Sequence, residues 1–433
     1  MGTGTKLIGA AATLAAAWVL VSTPAVRAAE SSEGGKAVVN PVEMTVGERR
    51  GDIRGSTGRA LQAAVDHVAA LGGGVVRIGA GTYEMRNALF LRDNVRIVGT
   101  PGKTILSACK GAVSPLRLDG DCNERQVTLV DPSKFRPGDG ISVQDKRMGG
   151  GFGVTTATLL AQTSADTFKI SRPLYYDYMV HNEASARLTF PVVGGYQVKN
   201  ASIEGVVVEG NRKRTQPLNG CRGAGIYLFE CEKIEIRNCV VKGYNGDGIS
   251  FQVSQKVTVE DCSVEGCAGI GLHPGSGSQD PVVRNNTSRK NDRDGMYVCW
   301  RVKRGLFEGN TIRENLGDGI SIGHKDTDNT FRRNRVNSNK GDGLRFRKES
   351  EPMAAHRNVF EENEFLDNGG GRSNYYPVRI LGRTKDLVFR RNRIGYTSGE
   401  KRGVAFRVGK EVEGLELEGN ELLRVKSERS SGN

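Results

Sequence analysis

Aromatic and other apolar residues are scarce in this chain of 433 residues. Phe, Trp and Tyr make up 6% of it, and all hydrophobic residues together make up 37%. That share is low for a compact globule, but the apolar residues are placed too regularly for a disordered chain. We therefore expect a core built mainly from Val, Ile and Leu. The 58 glycines lack a G-X-Y period, which excludes collagen.

Several common sequence signals are also absent. Helical periodicity is missing from the second half of the chain, which excludes helical solenoids. Leucines do not recur at the fixed spacings of leucine-rich repeats. No metal-type CxxC pair, Walker loop or Rossmann loop stands in a suitable context. The sequence thus indicates neither a nucleotide-binding α/β domain nor a zinc module.

Negative charge is in deficit. The chain has 62 Lys and Arg against 49 Asp and Glu, a formal charge of +13. Such an excess attracts polyanions, which include nucleic acid, acidic polysaccharide and anionic membrane surfaces.

The one long apolar run lies at the N-terminus. Lys6 precedes an apolar stretch from Leu7 to Val21, and small residues stand at Val26 and Ala28. This pattern predicts a signal peptide over residues 1–28, with a retained membrane anchor as the alternative. Cleavage would remove Lys6 and Arg27 and lower the charge from +13 to +11.

Export narrows the choice of partner. We expect a secreted or periplasmic monomer whose partner is an acidic polysaccharide, with no nucleic acid partner and no membrane contact after cleavage. No further apolar run approaches membrane-spanning length. The eight cysteines can form disulfides in such a compartment.

A repeat runs through the second half. A glycine before an apolar residue recurs at steps of 21 to 26 residues, at Gly225, Gly248, Gly269, Gly295, Gly319 and Gly343. Asn or Asp recurs at a second phase, at Asn238, Asp261, Asn286, Asn310, Asn334, Asn363, Asn392 and Asn420. We expect the second set to satisfy backbone groups at turns.

The repeat unit predicts an all-β solenoid. Each unit holds short alternating apolar stretches, such as 233–236 and 256–259, separated by Gly and Asn turns. About 24 residues with three short strands fit one coil of a parallel β-helix. Coils then stack at about 4.8 Å, so that residues one repeat apart become neighbours.

The segments outside the repeat have different sequence patterns. Ser56 or Thr57 can cap a helix that runs to about Leu71 and covers the open end of the solenoid. We expect this cap and the first coils over 45–107, a small inserted β unit over 108–190, and the main coils over 191–425. Residues 29–44 and 426–433 are expected to be a mobile linker and a mobile tail.

The chain resembles the pectate-lyase-like superfamily of right-handed parallel β-helices over about residues 45–425, less the insert. The resemblance rests on Ala60–Ala64 with Gly74–Ile78 and Gly81–Tyr83, and on the later Gly-Asp-Gly-Ile coils. It implies a right-handed parallel β-helix. The superfamily contains lyases, hydrolases, epimerases and non-catalytic stalks, so it does not imply one activity. Neither the Asp-Asp pair of polygalacturonases nor the Arg-x-Pro-x-x-Arg stretch of pectate lyases is present.

Polar residues that follow the glycine markers predict a groove on one face. His273 and His324 fall at nearly the same phase two coils apart, which places them roughly 10 Å from each other with Arg301 between them. The candidate catalytic residues are His273, His324, Lys325 and Asp326. The candidate substrate-binding residues are Gln252, Trp300, Arg301, Arg347, Lys348 and Glu349.

These residue types suit β-elimination or epimerisation of a uronic acid. Arginines would hold carboxylates, Trp300 would offer a stacking face, and a His or Lys would move the proton alpha to the carboxylate. One alternative is a glycoside hydrolase with paired carboxylates, either Asp326 with Glu349 or Asp294 with Asp342. Others are a protein that only binds polyanions, or histidines that merely cap turns on a solvated face.

Two further sets of residues each fit more than one role. Asp294, Asp318 and Asp342 share one phase on successive coils, so they could hold Ca²⁺ or accept turn N–H bonds; no other cofactor is expected. Cys239 and Cys262 should lie one coil apart, either as a disulfide or as stacked thiols. Cys299 is expected to be structural.

Overall fold

Three parallel sheets wind around a common core. The computed structural model describes residues 42–147, 151–370, 372 and 374–431. The predicted signal peptide and residues 29–41 lie outside the described residues. The chain divides into units 1–40 and 41–433, and all described residues belong to the second. In this part of the chain, no helix has the length and apolar character needed to cross a membrane.

Each coil contributes one strand to each of three sheets, which we call A, B and C. The strands of sheet A are Val42–Gly47, Ile53–Arg54, Gly74–Ile78, Val95–Gly99, Lys199–Glu204, Glu232–Arg237, Thr258–Glu260, Val282–Arg284, Leu306–Glu308, Thr330–Arg332, Val359–Glu361, Lys385–Arg390 and Glu413–Glu418. Those of sheet B are Gly81–Met85, Thr104–Ala108, Val206–Glu209, Val240–Lys242, Ser263–Glu265, Thr287–Arg289, Thr311–Arg313, Arg335–Asn337, Glu364–Leu366, Arg393–Gly395 and Glu421–Leu423. Those of sheet C are Leu89–Phe90, Val193–Tyr196, Ala224–Phe229, Asp247–Gln252, Leu272–Gly275, Met296–Tyr297, Ile320–Ile322, Leu344–Phe346, Val378–Ile380, Val404–Val408 and Ser427–Ser431.

The register of sheet C corrects one repeat marker. Ile249 pairs with Leu272, and Leu272 pairs with Met296. The glycine equivalent to Gly248 is therefore Gly271 and not Gly269. With this change the spacing of the markers from Gly248 onward becomes almost constant, as stacked coils of equal length require.

The core contains more aromatic rings than the composition suggested. Phe307, Phe331, Phe360 and Phe389 stack face to face on sheet A, with ring centroids 4.5, 4.7 and 4.7 Å apart. The rings follow the coil spacing because equivalent residues of successive coils lie directly above one another. Val, Ile and Leu still make up most of the buried apolar residues, as expected, but half of the chain's 14 phenylalanines are buried in the coils from 306 to 408.

An asparagine ladder closes the corner between sheets A and B. In each step the backbone N–H and side-chain Nδ2 of one Asn donate to Oδ1 of the next, as Asn310 does to Asn334 at 3.0 and 2.9 Å. Asn238 and Asp261 are not part of it; Cys262 occupies the equivalent place and donates its N–H to Asn286. Cys239, one coil earlier, is a buried free thiol like Cys262. The structure therefore agrees with stacked thiols and not with a disulfide.

Removing one rung should destabilise the fold. Asn310→Ala leaves the backbone N–H and the Nδ2 group of Asn286 without their acceptor, at a cost of about 1–3 kcal/mol per buried group. Urea denaturation should show this loss. Asn238→Gly is the matched control, because Asn238 is exposed with φ of 50° and Gly tolerates that conformation. Equal losses in the two variants would contradict the assigned role of the ladder.

One α-helix among the described residues covers the first coils. Helix α1, Gly58–Ala70, buries Leu61, Ala64, Val65 and Val68. It contacts the first strands of all three sheets and so lies across the end of the solenoid. Thr57 is its N-cap residue, but its side chain makes no capping hydrogen bond. The predicted cap helix is confirmed, although the predicted cap bond is absent.

The insert forms a separate antiparallel sheet, D. Its strands are Val113–Pro115, Gln126–Thr128, Gly140–Gln144, Thr155–Gln162, Thr167–Ile170 and Ser185–Arg187, and a 3-10 helix spans Val180–Asn182. The insert packs beside the first strands of sheet C, where Arg172 lies 3.6 Å above the ring of Tyr196.

Two predicted mobile segments are partly wrong. Residues 42–44 belong to a strand of sheet A that pairs with Gly74–Ile78, and Ser427–Ser431 pairs with Val404–Val408 in sheet C. Both segments extend the sheets because their backbone groups find partners on the neighbouring coil.

Candidate active site on sheet C

The outer face of sheet C presents one row of side chains, one from each coil. We call this set the outer row: Tyr227, Ser250, His273, Tyr297, Ser321, Arg345, Arg379 and Arg407. Each lies next to a residue that points into the core, such as Leu272 or Met296, and strand side chains alternate between the two faces. The row therefore points away from the core.

His273 is held by a carboxylate of the preceding coil. Its Nδ1 lies 2.7 Å from Oδ2 of Asp247, and both side chains are buried. An ionised carboxylate only accepts hydrogen bonds, so Nδ1 carries the proton and Nε2 keeps a lone pair. The other oxygen of Asp247 accepts the N–H of Ile270 at 2.9 Å, which fixes the carboxylate. Nε2 of His273 has no hydrogen-bond partner.

Tyr297 stands next to His273 in the outer row. The two rings meet edge to face with centroids 5.6 Å apart. The guanidinium of Arg347 lies 4.2 Å above the centre of the Tyr297 ring. Burial raises the pKa of the Tyr297 phenol, so the phenol stays protonated at neutral pH.

Arg347 reaches back over two coils and is fixed there. It donates to Oγ of Ser321 at 3.0 Å and to the carbonyl of Val298 at 2.7 Å, and it lies 3.3 Å from Oδ2 of Asp326. Its side chain is 12% exposed. Arg347 can therefore supply positive charge beside Tyr297, but it is not a freely moving ligand for carboxylates.

Asp326 does not occupy the place expected of a catalytic carboxylate. Its side chain is fully buried and accepts the backbone N–H groups of Val302 and Gly323 at 2.9 and 3.1 Å. Burial raises its pKa to about 7, and Arg347 opposes that rise. Because solvent cannot reach it, Asp326 serves to shape the turn and anchor Arg347, which corrects its predicted catalytic role.

A second cluster lies at the corner where sheet C turns toward sheet A. Nε2 of His324 is 2.7 Å from Oε1 of Glu349, and its ring centroid is 5.3 Å from that of Trp300. Sγ of Cys299 lies 3.8 Å from Nδ1 of His324. Burial, and secondarily Arg347, lower the pKa of His324 to about 4. Burial also raises the pKa of Glu349.

The backbone of this corner is unusual. Trp300 and Arg301 both have positive φ, 66° and 67°, and His324 and Lys325 repeat this with 50° and 67°. Pairs of bulky residues in the left-handed region are disfavoured, and such strain is frequent at functional sites. The turn leaves the Trp300 side chain 45% exposed above the surface.

The predicted groove is only partly assembled. The residue equivalent to His273 two coils on is Ser321, so His324 lies three positions further along the strand, at the corner with Trp300, Arg301 and Lys325. Lys348 is exposed beside them. The expectation that the two histidines share one phase was therefore wrong, and Arg347 connects their two clusters.

Gln252 lies in the same face but is already engaged. It is buried, and its Nε2 donates to Oγ of Ser250 at 2.8 Å. Gly275 on the next coil leaves room for it, because a Cβ there would come within 2.5 Å of the Gln252 amide. Oε1 of Gln252 has no hydrogen-bond partner.

The aspartate row is a turn element. Oδ1 of Asp294 accepts the N–H of Asp318, Oδ1 of Asp318 accepts that of Asp342, and Oδ1 of Asp342 accepts that of Tyr376, at 2.8, 2.7 and 2.7 Å. Asp342 also pairs with Arg379 at 2.9 Å. Nowhere in the described ranges do three or more metal-binding side chains group to hold an ion. The predicted Ca²⁺ site does not fit this geometry.

A turn of the chain lies against Asp247 and Ser250. The segment Asn219–Gly223, called the cover segment below, accepts a hydrogen bond from Oγ of Ser250 at the Gly220 carbonyl, 2.7 Å away. A Cβ on Gly220 would lie 1.6 Å from Oδ2 of Asp247. His273, which Asp247 holds, is only 4% exposed.

Asp247 and Tyr297 were not among the predicted site residues. A signal for Tyr297 exists in the sequence, because Ser250, His273, Tyr297 and Ser321 each stand two residues after a corrected glycine marker. Asp247 carries no such signal, since it acts on the histidine of the next coil.

His324 should stay neutral at pH values well below the ordinary pKa of a histidine. Its folded pKa lies below the unfolded value of 6.5, so the unfolded chain binds more protons between about pH 6.5 and pH 4. The stability that neutral His324 provides is therefore lost as the pH falls through that window. An NMR titration should place its midpoint near pH 4. A midpoint at or above 6.5 would mean that an imidazolium pairs with Glu349.

Comparisons with known proteins agree with this architecture. Residues 192–353 match the family model described as right-handed beta helix region. No curated protein sequence matches the chain. Solved structures with a similar fold include the A-module of the mannuronan C-5 epimerase AlgE6 of Azotobacter vinelandii, at 14% identity and a TM-score of 0.51, which covers 87% of this chain and 95% of that one.

Two further structures are similar to the same extent. A protein named glycoside hydrolase has 12% identity and a TM-score of 0.51, with coverage of 88% of this chain and 96% of that one. The surface protein and adhesin PfbA of Streptococcus pneumoniae has 12% identity and a TM-score of 0.51, with coverage of 86% and 95%. At such identities the likeness concerns the fold alone. The sheets and the family model together establish that the chain is a right-handed parallel β-helix protein.

Proposed function

We propose that the protein acts on a uronic-acid-containing polysaccharide at the outer row of sheet C, by abstracting the proton alpha to a carboxylate. β-Elimination or epimerisation follows from that step. The observation that carries the proposal is the Asp247–His273 pair, whose free Nε2 lies next to Tyr297.

His273 is the base. Asp247 keeps the proton on Nδ1 and holds the ring, so the lone pair of Nε2 faces away from the carboxylate. A neutral imidazole can accept a proton through such a lone pair. The base takes the α proton, and the electron pair of the C–H bond moves into the adjoining carboxylate.

Tyr297 and the arginines complete the reaction. A protonated phenol can donate to the leaving glycosidic oxygen in elimination, or return a proton from the other side in epimerisation. The developing charge on the carboxylate is stabilised by cations. The guanidinium of Arg347 lies over the Tyr297 ring, and Arg345 stands two coils from Tyr297 in the outer row. The exposed Trp300 and Arg301 at the corner suit a neighbouring sugar residue.

The cover segment gates access in this proposal. It lies on Asp247 and Ser250 and carries Arg222, which is bonded to the carbonyl of Phe152 in the insert at 2.9 Å. Its displacement by an anionic chain would open Nε2 of His273. Closure behind the substrate would exclude water, which strengthens the electrostatic interactions in the site.

Similar folds and the N-terminal sequence support this choice. The similar structures include a mannuronan epimerase and a glycoside hydrolase. Export by the predicted signal over residues 1–28 would bring a basic monomer into contact with extracellular polyanions. Ca²⁺ is not required in this proposal.

The test is a panel of pectins, alginates and glycosaminoglycans. Elimination creates an unsaturated uronate that absorbs in the ultraviolet, whereas epimerisation changes the NMR signals of the sugar without cleavage. Either outcome supports the proposal. New reducing ends without ultraviolet absorbance would favour hydrolysis by carboxylates instead, and binding without any product would favour a polyanion-binding protein.

A further inference from the structure

A second concave site lies four coils from His273, at the corner between sheets B and C. It is a cavity of about 260 Å³ lined by Tyr375, Tyr376, Tyr396 and Arg402, among others. This volume is slightly below the range of drug-sized pockets, which suits a single sugar ring. We call it the tyrosine pocket.

One arginine–tyrosine pair lines the pocket, and the arginine of a second pair stands beside it. The guanidinium of Arg402 lies 4.0 Å above the Tyr396 ring, and that of Arg379 lies 4.8 Å above the Tyr376 ring. Tyrosine rings provide apolar faces for the C–H groups of a sugar, and arginine provides paired N–H donors for a carboxylate. The two chemistries together match a carboxylated sugar better than a neutral one.

The charge of the pocket is unbalanced. None of its lining residues is acidic. In the described part of the chain no carboxylate lies within ion-pair distance of Arg402, whereas Arg379 is already paired with Asp342 at 2.9 Å. Arg402 is exposed and therefore free to bind an anion.

The pocket adjoins the outer row. Arg379 belongs to that row and is separated from Tyr297 by three coils, or about 14 Å at the usual strand spacing. Arg345 fills the intervening position next to Arg379. A linear polyuronate that has one residue at Tyr297 could therefore extend along the arginines toward the pocket.

We propose that the tyrosine pocket is a distal binding site for one uronate residue of a polysaccharide chain. This inference deepens the proposed function by assigning a second contact for the same substrate class, but binding in the pocket does not require turnover. Arg402 binds the carboxylate and the tyrosines contact the apolar face of the ring.

Calorimetric titrations with uronate trimers and octamers test the inference. Arg402→Gln and Tyr376→Ala should each weaken binding of octamers at least tenfold and leave that of trimers unchanged, since trimers do not reach both sites. Arg391→Gln, which removes an exposed arginine between sheets A and B, is the matched control and should change neither. Thermal unfolding checks that each variant is folded.

The outcomes separate the two proposals. Unchanged octamer affinity in Arg402→Gln would overturn the proposal that the tyrosine pocket binds a uronate, even if the wild type converts the substrate. Weakened octamer affinity in a protein that converts no uronate would support the pocket and refute the proposed activity. Equal weakening in Arg391→Gln would attribute the effect to net charge and overturn the specific site.

Discussion

His273→Gln should lower kcat by about 10³-fold on the substrate identified by the panel, because removal of a general base typically costs 10²- to 10⁴-fold. Glutamine keeps a polar side chain of similar reach but cannot accept the α proton. Since Asp247 would then lack its imidazole partner, the variant must be shown to fold by circular dichroism. Asp247→Asn should also lower kcat strongly, because it removes the acceptor that fixes the proton on Nδ1.

His181→Gln is the control for this prediction. His181 is an exposed histidine in the insert, and its replacement should leave kcat and KM unchanged. Full activity in His273→Gln would remove the proposed base. If His324→Gln instead abolished turnover, the reaction would belong to the corner cluster with Trp300 and Glu349.

Phe331→Ala should destabilise the solenoid by about 3–5 kcal/mol, the usual cost of deleting a buried aromatic ring. Phe331 is fully buried between Phe307 and Phe360, so both neighbours lose a stacked face. Each coil of a solenoid contacts mainly its neighbours. Loss of hydrogen-exchange protection should therefore be greatest in the coils that contain these three residues.

Phe152→Ala is the matched control for the stacked phenylalanines. Phe152 is 56% exposed, and truncation of an exposed side chain usually changes stability by less than about 0.5 kcal/mol. Equal losses of unfolding free energy in the two variants, measured by urea denaturation, would contradict the assignment of the phenylalanine stack to the core.

The period of about 24 residues was sufficient to predict the architecture. A spacing that repeats in Gly and Asn places equivalent residues on one wall, and three short alternating stretches per unit leave few other folds. The sequence did not fix which glycine marks the third of these coils, because Gly269 and Gly271 both precede an apolar residue. Only pairing of Ile249 with Leu272 distinguishes them.

Similar ambiguity affected the asparagine ladder. Asn238 and Asp261 stand one residue before the true ladder position, where Cys239 and Cys262 are buried. Asn and Asp tolerate positive φ, and both residues have it, at 50° and 53°. The same residue type thus serves two different needs at neighbouring positions, which composition alone does not separate.

The site was harder to predict than the coils. His273 was identified correctly as a residue of this face, but its partner Asp247 comes from the previous coil and Arg347 returns from three coils ahead. Side-chain direction decides such contacts, and it depends on rotamers and local packing. The burial of Asp326 and the contact of the cover segment with Asp247 follow from tertiary packing as well.

Exchange of the proton alpha to the carboxylate tests the proposed chemistry most directly. The polyuronate substrate is incubated with the protein in D₂O, and NMR follows the signal of that proton. Wild-type protein should abolish the signal, by elimination or by replacement with deuterium, and His273→Gln should preserve it. Substrate that is cleaved while it keeps this proton would contradict proton abstraction at the outer row and favour hydrolysis.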